Sequence, residues 1–254
     1  MRKGESGTAE LVAGGDDLSE YRSLMAELGH SPGNLLFALD WMFSGVPLDG
    51  RSVLDIGAGA GAASFYAACK GASLVVSLEP EAAGSRSGMQ ERFELTRRRL
   101  HAHQVALRPE TLQEFHADGE CFDVLVSIAS INHLDERACI HLLKDPAARA
   151  TYAEMFSKLA DLTKRGGHLI VADCSRRNVF GDLGVSNPLT PTIEWEKHQR
   201  PEVWANLLHD AGFRAPRIRW PAFNTLRWPG RFLLGNRVAA YFLRSTFCLT
   251  MERM

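Results

Sequence analysis

Residues 53–80, VLDIGAGAGAASFYAACKGASLVVSLEP, constrain the fold more than any other part of the chain. A short apolar run at 53–56 is followed by three glycines at alternate positions, Gly57, Gly59 and Gly61. Residues 62–70 then have a helical pattern, and 74–78 form a second apolar run that ends at Glu79. Strand, glycine turn, helix and strand make a βαβ unit, in which the strands are parallel and the crossover is right-handed.

This unit predicts a nucleoside ligand. Glycines let the backbone approach a ligand, and the N-terminus of the helix offers N–H groups. Glu79 follows at the tip of the second strand, where a carboxylate can bind both hydroxyls of a ribose. Gly57, Gly59 and Ala62 satisfy the dinucleotide fingerprint G-x-G-x-x-G/A, so NAD is one candidate. Asp55 favours another ligand, because its carboxylate would repel a pyrophosphate and suits a cationic group.

The stretch resembles the first motif of the class I S-adenosylmethionine-dependent methyltransferases, which has the form V-L-D-x-G-x-G-x-G. The resemblance covers about residues 50–220 and 245–251. It implies that the acid and the glycine loop hold the methionine end of S-adenosylmethionine, and that the acid after the second strand holds the ribose. The cofactor-binding residues implied are Asp55, Gly57, Ala58, Gly59, Gly61, Glu79 and Pro80, together with Ser127 and Ile128 at the end of the fourth strand. In the family the loop after the third strand contacts adenine, so Glu110 and the Thr111 N–H are the candidates for that contact.

The rest of the chain continues the alternation of helix and strand. Helical patterns occupy 81–103, 147–162 and 201–211, and strand patterns occupy 105–107, 122–128, 168–172, 217–220 and 245–251. The pair Gly166-Gly167 is interpreted as the break between a helix and the fifth strand. These patterns predict an α/β fold, a doubly wound, seven-stranded, mostly parallel sheet of the Rossmann-like methyltransferase type with an antiparallel last strand.

The predicted domain organisation has three parts. Residues 1–17 form a flexible N-terminus, 18–49 an N-terminal helical cap, and 50–254 the S-adenosylmethionine-binding domain, with an insertion at 221–244 before the last strand. A long connection at 176–199 is expected to cover the acceptor pocket together with the cap and the insertion. The alternative is that this connection is a surface loop that only covers an edge of the sheet.

Composition and charge limit the classes of partner that we expect for this chain. The chain has 254 residues and a net charge of −1, so no global attraction to nucleic acid is expected, although 200–244 hold eight arginines against two acids. Five cysteines without C-x-x-C spacing indicate reduced thiols, no metal site and a cytoplasmic location. Arginines interrupt the apolar tract 232–251, so stable membrane insertion is not expected. A monomer or homodimer is expected.

The end of the fourth strand and the residues just beyond it indicate the class of acceptor and a candidate catalytic base. The fourth strand ends Ser127-Ile128-Ala129-Ser130 instead of the [D/N]-P-P-[Y/F] common in methyltransferases of exocyclic or amide nitrogens, which favours a small-molecule acceptor. His133 lies just beyond that strand and is the candidate base, with Asp135 or Asp173 to orient it. The alternative is a histidine that only fixes the loop, with alignment alone supplying the catalysis.

Three other functions remain open from the sequence. The first is an enzyme of the same fold that uses S-adenosylmethionine for cyclisation or for transfer of the aminocarboxypropyl chain, which releases methylthioadenosine. The others are an inactive cofactor-binding scaffold and an NAD oxidoreductase. An intact Asp55, glycine loop and Glu79 argue against the scaffold.

Overall fold

The computed structural model describes residues 16–81 and 88–254. The strands in these residues form one seven-stranded sheet. The strands are β1 Ser52–Ile56, β2 Leu74–Leu78, β3 Val105–Arg108, β4 Phe122–Ile128, β5 Thr163–Cys174, β6 Phe213–Arg219 and β7 Thr246–Arg253. Their order is β3-β2-β1-β4-β5-β7-β6. The pairs from β3 to β5 are parallel, and β7 is antiparallel to both of its neighbours. The predicted fold class is confirmed.

Helices pack on both faces of the sheet. They are α1 Asp16–Glu27, α2 Pro32–Met42, α3 Ala62–Cys69, α4 Met89–Arg99, α5 Glu136–His141, α6 Pro146–Asp161, α7 Val179–Asp182, α8 Pro201–Asp210, α9 Arg227–Leu234 and α10 Arg237–Phe242. One buried cluster joins α1, α2 and α3 to the sheet, and a second joins α5, α6 and α8 to the opposite face. The C-terminal ends of the parallel strands therefore meet at one edge, where ligands bind in such sheets.

The prediction that Gly166-Gly167 separates a helix from the fifth strand is wrong. Instead of ending a helix before the fifth strand, both glycines lie inside β5, which begins at Thr163. Gly166 has a φ of +74°, and a Cβ on Gly167 would lie 2.9 Å from the carbonyl oxygen of Asp123. The register between β4 and β5 shifts at this point, so the glycines allow a bulge against β4.

The helical segments also differ from the predicted pattern. α4 is shorter than the predicted helix at 81–103, of which residues 82–87 lie outside the described residues. α5 and α7 had no counterpart in the prediction. They are six and four residues long, too short to show a helical period in the sequence.

The predicted cap and insertion pack against each other. α2 is bound to β6 by Arg219, which donates hydrogen bonds to the carbonyl oxygens of Trp41 at 2.7 Å and Met42 at 2.8 Å. Arg227 of α9 donates to the carbonyl oxygen of Gly33 at 2.6 Å. Of the predicted flexible segment 1–17, residues 1–15 lie outside the described residues, and the last two begin α1. The division into domains stays a prediction.

Candidate functional site

The glycine loop between β1 and α3 has a backbone that depends on glycine. Gly57, Gly59 and Gly61 have φ values of +72°, +56° and +84°, a region that other residues rarely adopt. A Cβ on Gly57 would lie 2.5 Å from the Cβ of Ser130, and one on Gly61 would lie 2.5 Å from the ring of Phe65. No atom lies within 4 Å of a Cβ built on Gly59. The first and third glycines are therefore required by packing as well as by φ.

Glu79 lies beside this loop. Its side chain is buried, and its Oε2 accepts a 2.7 Å hydrogen bond from the backbone N–H of Gly59. Its Oε1 accepts the N–H of Glu81 at 3.0 Å. Pro80 follows directly and is half-buried. The structure thus brings the predicted ribose acid and the predicted glycine turn into direct contact.

Asp55 lies beneath the loop, at the end of β1. It is 2% exposed, and its Oδ2 accepts a 2.6 Å hydrogen bond from Oγ of Ser64, which in turn accepts one from Ser77 at 2.8 Å. Burial raises the pKa of Asp55 to about 6, the Ser64 hydrogen bond opposes this, and the charge of Glu79 adds to it. A cationic group placed at this site would stabilise the Asp55 carboxylate.

Hydroxyl groups bind the end of β4 to β1. Oγ of Ser127 lies 2.7 Å from Oγ of Ser130, which donates a 2.5 Å hydrogen bond to the carbonyl oxygen of Ile56. Ser127 is buried, and Ile128, the last residue of β4, is half-buried. Ala58 is also half-buried and donates its N–H to the carbonyl oxygen of Leu78 at 2.9 Å. Ser130 therefore joins the segment after β4 to the end of β1, and Ser127 contacts its hydroxyl.

The candidates for the adenine contact lie after β3. Glu110 and Thr111 are both half-buried. The backbone N–H of Thr111 donates to Oε2 of Glu114 at 3.0 Å, and its hydroxyl does so at 2.9 Å. The predicted donor is thus engaged by Glu114, and the adenine contact stays a prediction.

His133 is fixed by a residue that differs from the two predicted. Its Nδ1 lies 2.6 Å from Oε1 of Glu136, whose Oε2 lies 3.0 Å from Nζ of Lys197. Hydrogen bonding to Lys197, followed by that to His133, lowers the pKa of Glu136. Asp135 instead caps α5, where its Oδ1 accepts the N–H of Ala138 at 2.8 Å. The expectation that Asp135 or Asp173 orients His133 is wrong.

Asp173, at the end of β5, has a different histidine partner. Its Oδ1 lies 3.3 Å from Nδ1 of His198 and accepts the N–H of Cys174 at 2.7 Å. Its side chain is 2% exposed, and its Oδ2 has no hydrogen-bond partner among the described residues. Neither Glu136 nor His198 was predicted from the sequence. Glu136 lies three residues after His133, a helical spacing that could have shown it, whereas no signal placed His198 beside β5.

Two further buried amides lie on this side of the site. Oδ1 of Asn132 and Oε1 of Gln199 are buried without a hydrogen-bond partner in the described part of the chain. Gln199 donates from Nε2 to the carbonyl oxygen of Cys139 at 2.6 Å. With Asp173 they give three buried acceptor atoms near the ends of β4 and β5, which would suit a ligand with N–H or O–H groups.

A cavity of about 290 Å³ adjoins the ends of β5, β6 and the start of β7. Its lining combines apolar and basic side chains, Trp220, Val238, Arg177, Arg200 and Arg237, with Glu202 and others. Amide groups join the two segments beside it. Asn178 and Asn187 both donate to the carbonyl oxygen of Leu243, at 3.0 and 2.7 Å. The loop after β5 and the insertion therefore share one anchor.

Among residues 16–81 and 88–254, no group of three or more His, Cys, Asp or Glu side chains is arranged to hold a metal ion. None of the helices in these ranges has the length and apolar character that crossing a bilayer requires.

Comparisons with known proteins identify the fold. A methyltransferase from Aquifex aeolicus that depends on S-adenosylmethionine aligns with a TM-score of 0.57 and 16% identity, over 92% of this chain and 97% of its own. Magnesium protoporphyrin IX methyltransferase from Synechocystis, with bound S-adenosylhomocysteine, aligns with a TM-score of 0.53 and 18% identity, over 98% and 90%. The [4+2]-cyclase SpnF aligns with a TM-score of 0.56 and 16% identity, over 85% and 79%.

No family model and no curated protein matches the sequence. The chain has the fold of the S-adenosylmethionine-dependent methyltransferases.

Proposed function

We propose that this protein is an S-adenosylmethionine-dependent methyltransferase that acts on a small-molecule acceptor. The observation that carries the proposal is the hydrogen bond between the Gly59 N–H and Glu79, the residue that we propose binds the ribose. The fold supports this assignment, because solved structures of methyltransferases share it along most of the chain.

The residues of the loop fit this cofactor better than a dinucleotide. Asp55 is buried with a raised pKa, and the ammonium group at the methionine end of S-adenosylmethionine would stabilise its charged form. A pyrophosphate would instead lie against two carboxylates, Asp55 and Glu79. We therefore assign the methionine end to Asp55 and the glycine loop, and the ribose to Glu79.

When bound, S-adenosylmethionine supplies a methyl group on a sulfonium that is already a good leaving group. The protein's main task is to align the acceptor, which can account for most of the catalysis. His133 offers a base where the acceptor enters as a hydroxyl or ammonium. If its Nδ1–H donates to Glu136, Nε2 carries the lone pair that takes the proton.

The acceptor side is built from β4, β5 and the segments that follow them. A cavity of about 290 Å³ has the scale of a small-molecule site. The buried acceptor atoms of Asn132, Asp173 and Gln199 lie outside the lining of this cavity and would bind polar groups of an acceptor that reaches the ends of β4 and β5. The segment 176–199 and the insertion would cover it. Cys121, Cys139, Cys174 and Cys248 are free thiols, which supports our placement of the protein in the cytoplasm.

Identification of the nucleoside product tests the proposal. The purified protein is incubated with S-adenosylmethionine and a pool of small-molecule metabolites, and the nucleosides are separated by mass spectrometry. S-adenosylhomocysteine that forms with wild type and not with Glu79→Ala supports methyl transfer. No product with any pool, in a protein that binds the cofactor, overturns it in favour of a scaffold.

A second candidate is chemistry other than methyl transfer on the same scaffold. It is favoured by the structural likeness to SpnF, which is a [4+2]-cyclase by name. Release of methylthioadenosine in the same assay would indicate cyclisation or aminocarboxypropyl transfer. A modified metabolite with no consumption of S-adenosylmethionine would indicate a reaction in which the cofactor only supports the site.

A further inference from the structure

The insertion turns large apolar side chains outward. In the described part of the chain, twelve large apolar side chains are exposed, and half of them belong to α9, α10 and the residue before α9. These six define the apolar face, Leu226, Trp228, Phe232, Leu233, Val238 and Phe242. Phe232 is 86% exposed. Three more exposed apolar side chains lie close in sequence to one another, at 183, 185 and 189 in the loop after β5.

The spacing makes this face continuous along each helix. Trp228 and Phe232 are four residues apart on α9, and Val238 and Phe242 are four apart on α10. Residues at this spacing lie on the same side of a helix. The outward surface of the insertion thus carries two apolar stripes, one on each helix, and all four of their residues are more than half exposed.

The polarity of α9 is inverted relative to an ordinary surface helix. Arg231, which directly precedes Phe232, is buried, and its guanidinium lies 4.2 Å from the ring centre of Trp41. It donates to Oδ1 of Asn224 at 2.8 Å. A surface helix in water normally turns its cations outward and its aromatic residues inward. The inward arginine fixes α9 on α2, and the outward phenylalanine is 86% exposed among the residues that the structure describes.

The charged residues within the segment that carries the face are all arginines. Residues 211–251 contain seven arginines, no lysine and no aspartate or glutamate. The nearest carboxylates come from other elements: Glu202 of α8 lies 3.3 Å from Arg237, and Asp182 of α7 accepts a hydrogen bond from Tyr241. Arg244 is exposed and lies over the ring of Phe223. An anionic surface is therefore complementary to this region, although the net charge of the whole chain is −1.

We propose that the apolar face docks on the surface of an anionic lipid bilayer. Outward tryptophan, phenylalanine and leucine flanked by arginines are the composition of helices that lie in the membrane interface. A second copy of the chain fits less well, because a two-fold contact would bring the arginines of both copies together. An acidic protein fits less well, because a protein interface needs a pocket for a buried anchor, and Val238 is the one residue of the face that lines the neighbouring cavity. The docking does not depend on the reaction catalysed.

Flotation with vesicles tests the docking on the full chain. We expect wild type to bind vesicles of equal parts phosphatidylglycerol and phosphatidylcholine at least about tenfold more tightly than phosphatidylcholine alone, and to lose this at high salt. The variant Phe232→Ser/Val238→Ser removes two outward side chains and should weaken binding to the anionic vesicles by about tenfold or more.

Matched controls come from exposed leucines elsewhere. Leu95 of α4 and Leu143 after α5 are 43% and 57% exposed, and Leu95→Ser/Leu143→Ser should bind the anionic vesicles as wild type does. Thermal unfolding should leave both double variants within a few degrees of wild type. An equal loss in the two double variants, or no binding of wild type to anionic vesicles, overturns the proposal. So does a concentration-dependent dimer that Phe232→Ser/Val238→Ser abolishes, which would assign the face to a second copy.

Discussion

The backbone N–H of Gly59 donates a 2.7 Å hydrogen bond to Oε2 of Glu79, so one carboxylate joins the loop after β1 to the tip of β2. The same carboxylate is the proposed ribose ligand. Its removal therefore disturbs the conformation of the loop as well as the contact with the cofactor.

Glu79→Ala should weaken binding of S-adenosylmethionine by the 1.5–3 kcal/mol typical of a hydrogen bond to a charged group, roughly 10- to 150-fold. Isothermal titration calorimetry measures this directly. Glu120→Ala, at an exposed turn, is the matched control and should bind as wild type does. Wild-type affinity in Glu79→Ala, or tight binding of NADH by the wild type, would contradict the cofactor assignment.

Asp55 should make stability fall as the pH rises. Its pKa is about 6 in the folded protein, against 3.8 for the unfolded chain, so between these values the folded state holds more protons. The free energy of unfolding should therefore decrease by about 3 kcal/mol from pH 4 to above pH 6 through this group.

Urea unfolding from pH 4 to 8 checks this, with Asp55→Asn as the variant and exposed Asp118→Asn as its control. Asp55→Asn should be more stable than wild type at pH 7 and similar to it near pH 4, whereas Asp118→Asn should follow wild type throughout. If the difference between Asp55→Asn and wild type is the same at all pH values, the raised pKa of Asp55 is wrong.

Much of the βαβ core could be predicted because its signals are local. The strands at 74–78 and 122–128 have the predicted bounds, since each is an apolar run that ends at a polar residue or a turn. The glycine pair at 166–167 could not be interpreted locally, because a helix break and a bulge contain the same residues. Only the approach of β4, where Asp123 meets Gly167, distinguishes them.

The contacts of the candidate site could likewise be predicted only where they follow from local signals in the sequence. Gly59 and Glu79 follow from the motif, because two parallel strands in register place their ends side by side. The pairing of Asp173 with His198 depends on the path of a long loop, and nothing in the sequence fixes that path. His133 was found in the sequence, and its partner Glu136 was not, because the turn between them was not predicted.

His133→Ala should lose roughly 10²- to 10⁴-fold in kcat if His133 is the base, with unchanged cofactor affinity and partial recovery at high pH. Glu136→Gln should lose less, because it only weakens the hold on Nδ1. The kcat of His198→Ala, measured alongside, shows whether the loss belongs to His133 or to the other histidine near the strand ends. If cofactor affinity, thermal stability and kcat all fall together in His133→Ala, the histidine only fixes the loop.

Gly57→Ala should destabilise the protein by about 3 kcal/mol, because the methyl group would meet Ser130 at 2.5 Å and φ is +72°. Gly119→Ala, with a φ of +89° and open space, isolates the effect of φ and should cost about 1 kcal/mol. Chemical unfolding of both variants gives the comparison. Equal losses would mean that the contact with Ser130 relaxes freely.

Asn187→Ala should make two distant segments sensitive to protease together. Its side chain donates to the carbonyl oxygen of Leu243 and accepts the N–H of Leu189, so it holds the loop after β5 against the insertion. Limited proteolysis with mapped cleavage sites should show faster cutting near 183–189 and within 236–244. Asn236→Ala, which removes a cap within the insertion alone, should increase cutting only there. Faster cutting in one segment only would show that the two open separately.

The shared carbonyl of Leu243 has a mechanical consequence. Asn178 and Asn187 reach it from the two ends of α7 and the loop that follows, while α10 leads into it from the insertion. A load applied to the outer surface of α10 is therefore transmitted through Asn178 to the end of β5, because Cys174, the last residue of that strand, lies four residues before Asn178. We therefore expect the loop after β5 and the insertion to move together, so that a surface or molecule that binds α10 would also change the width of the cavity.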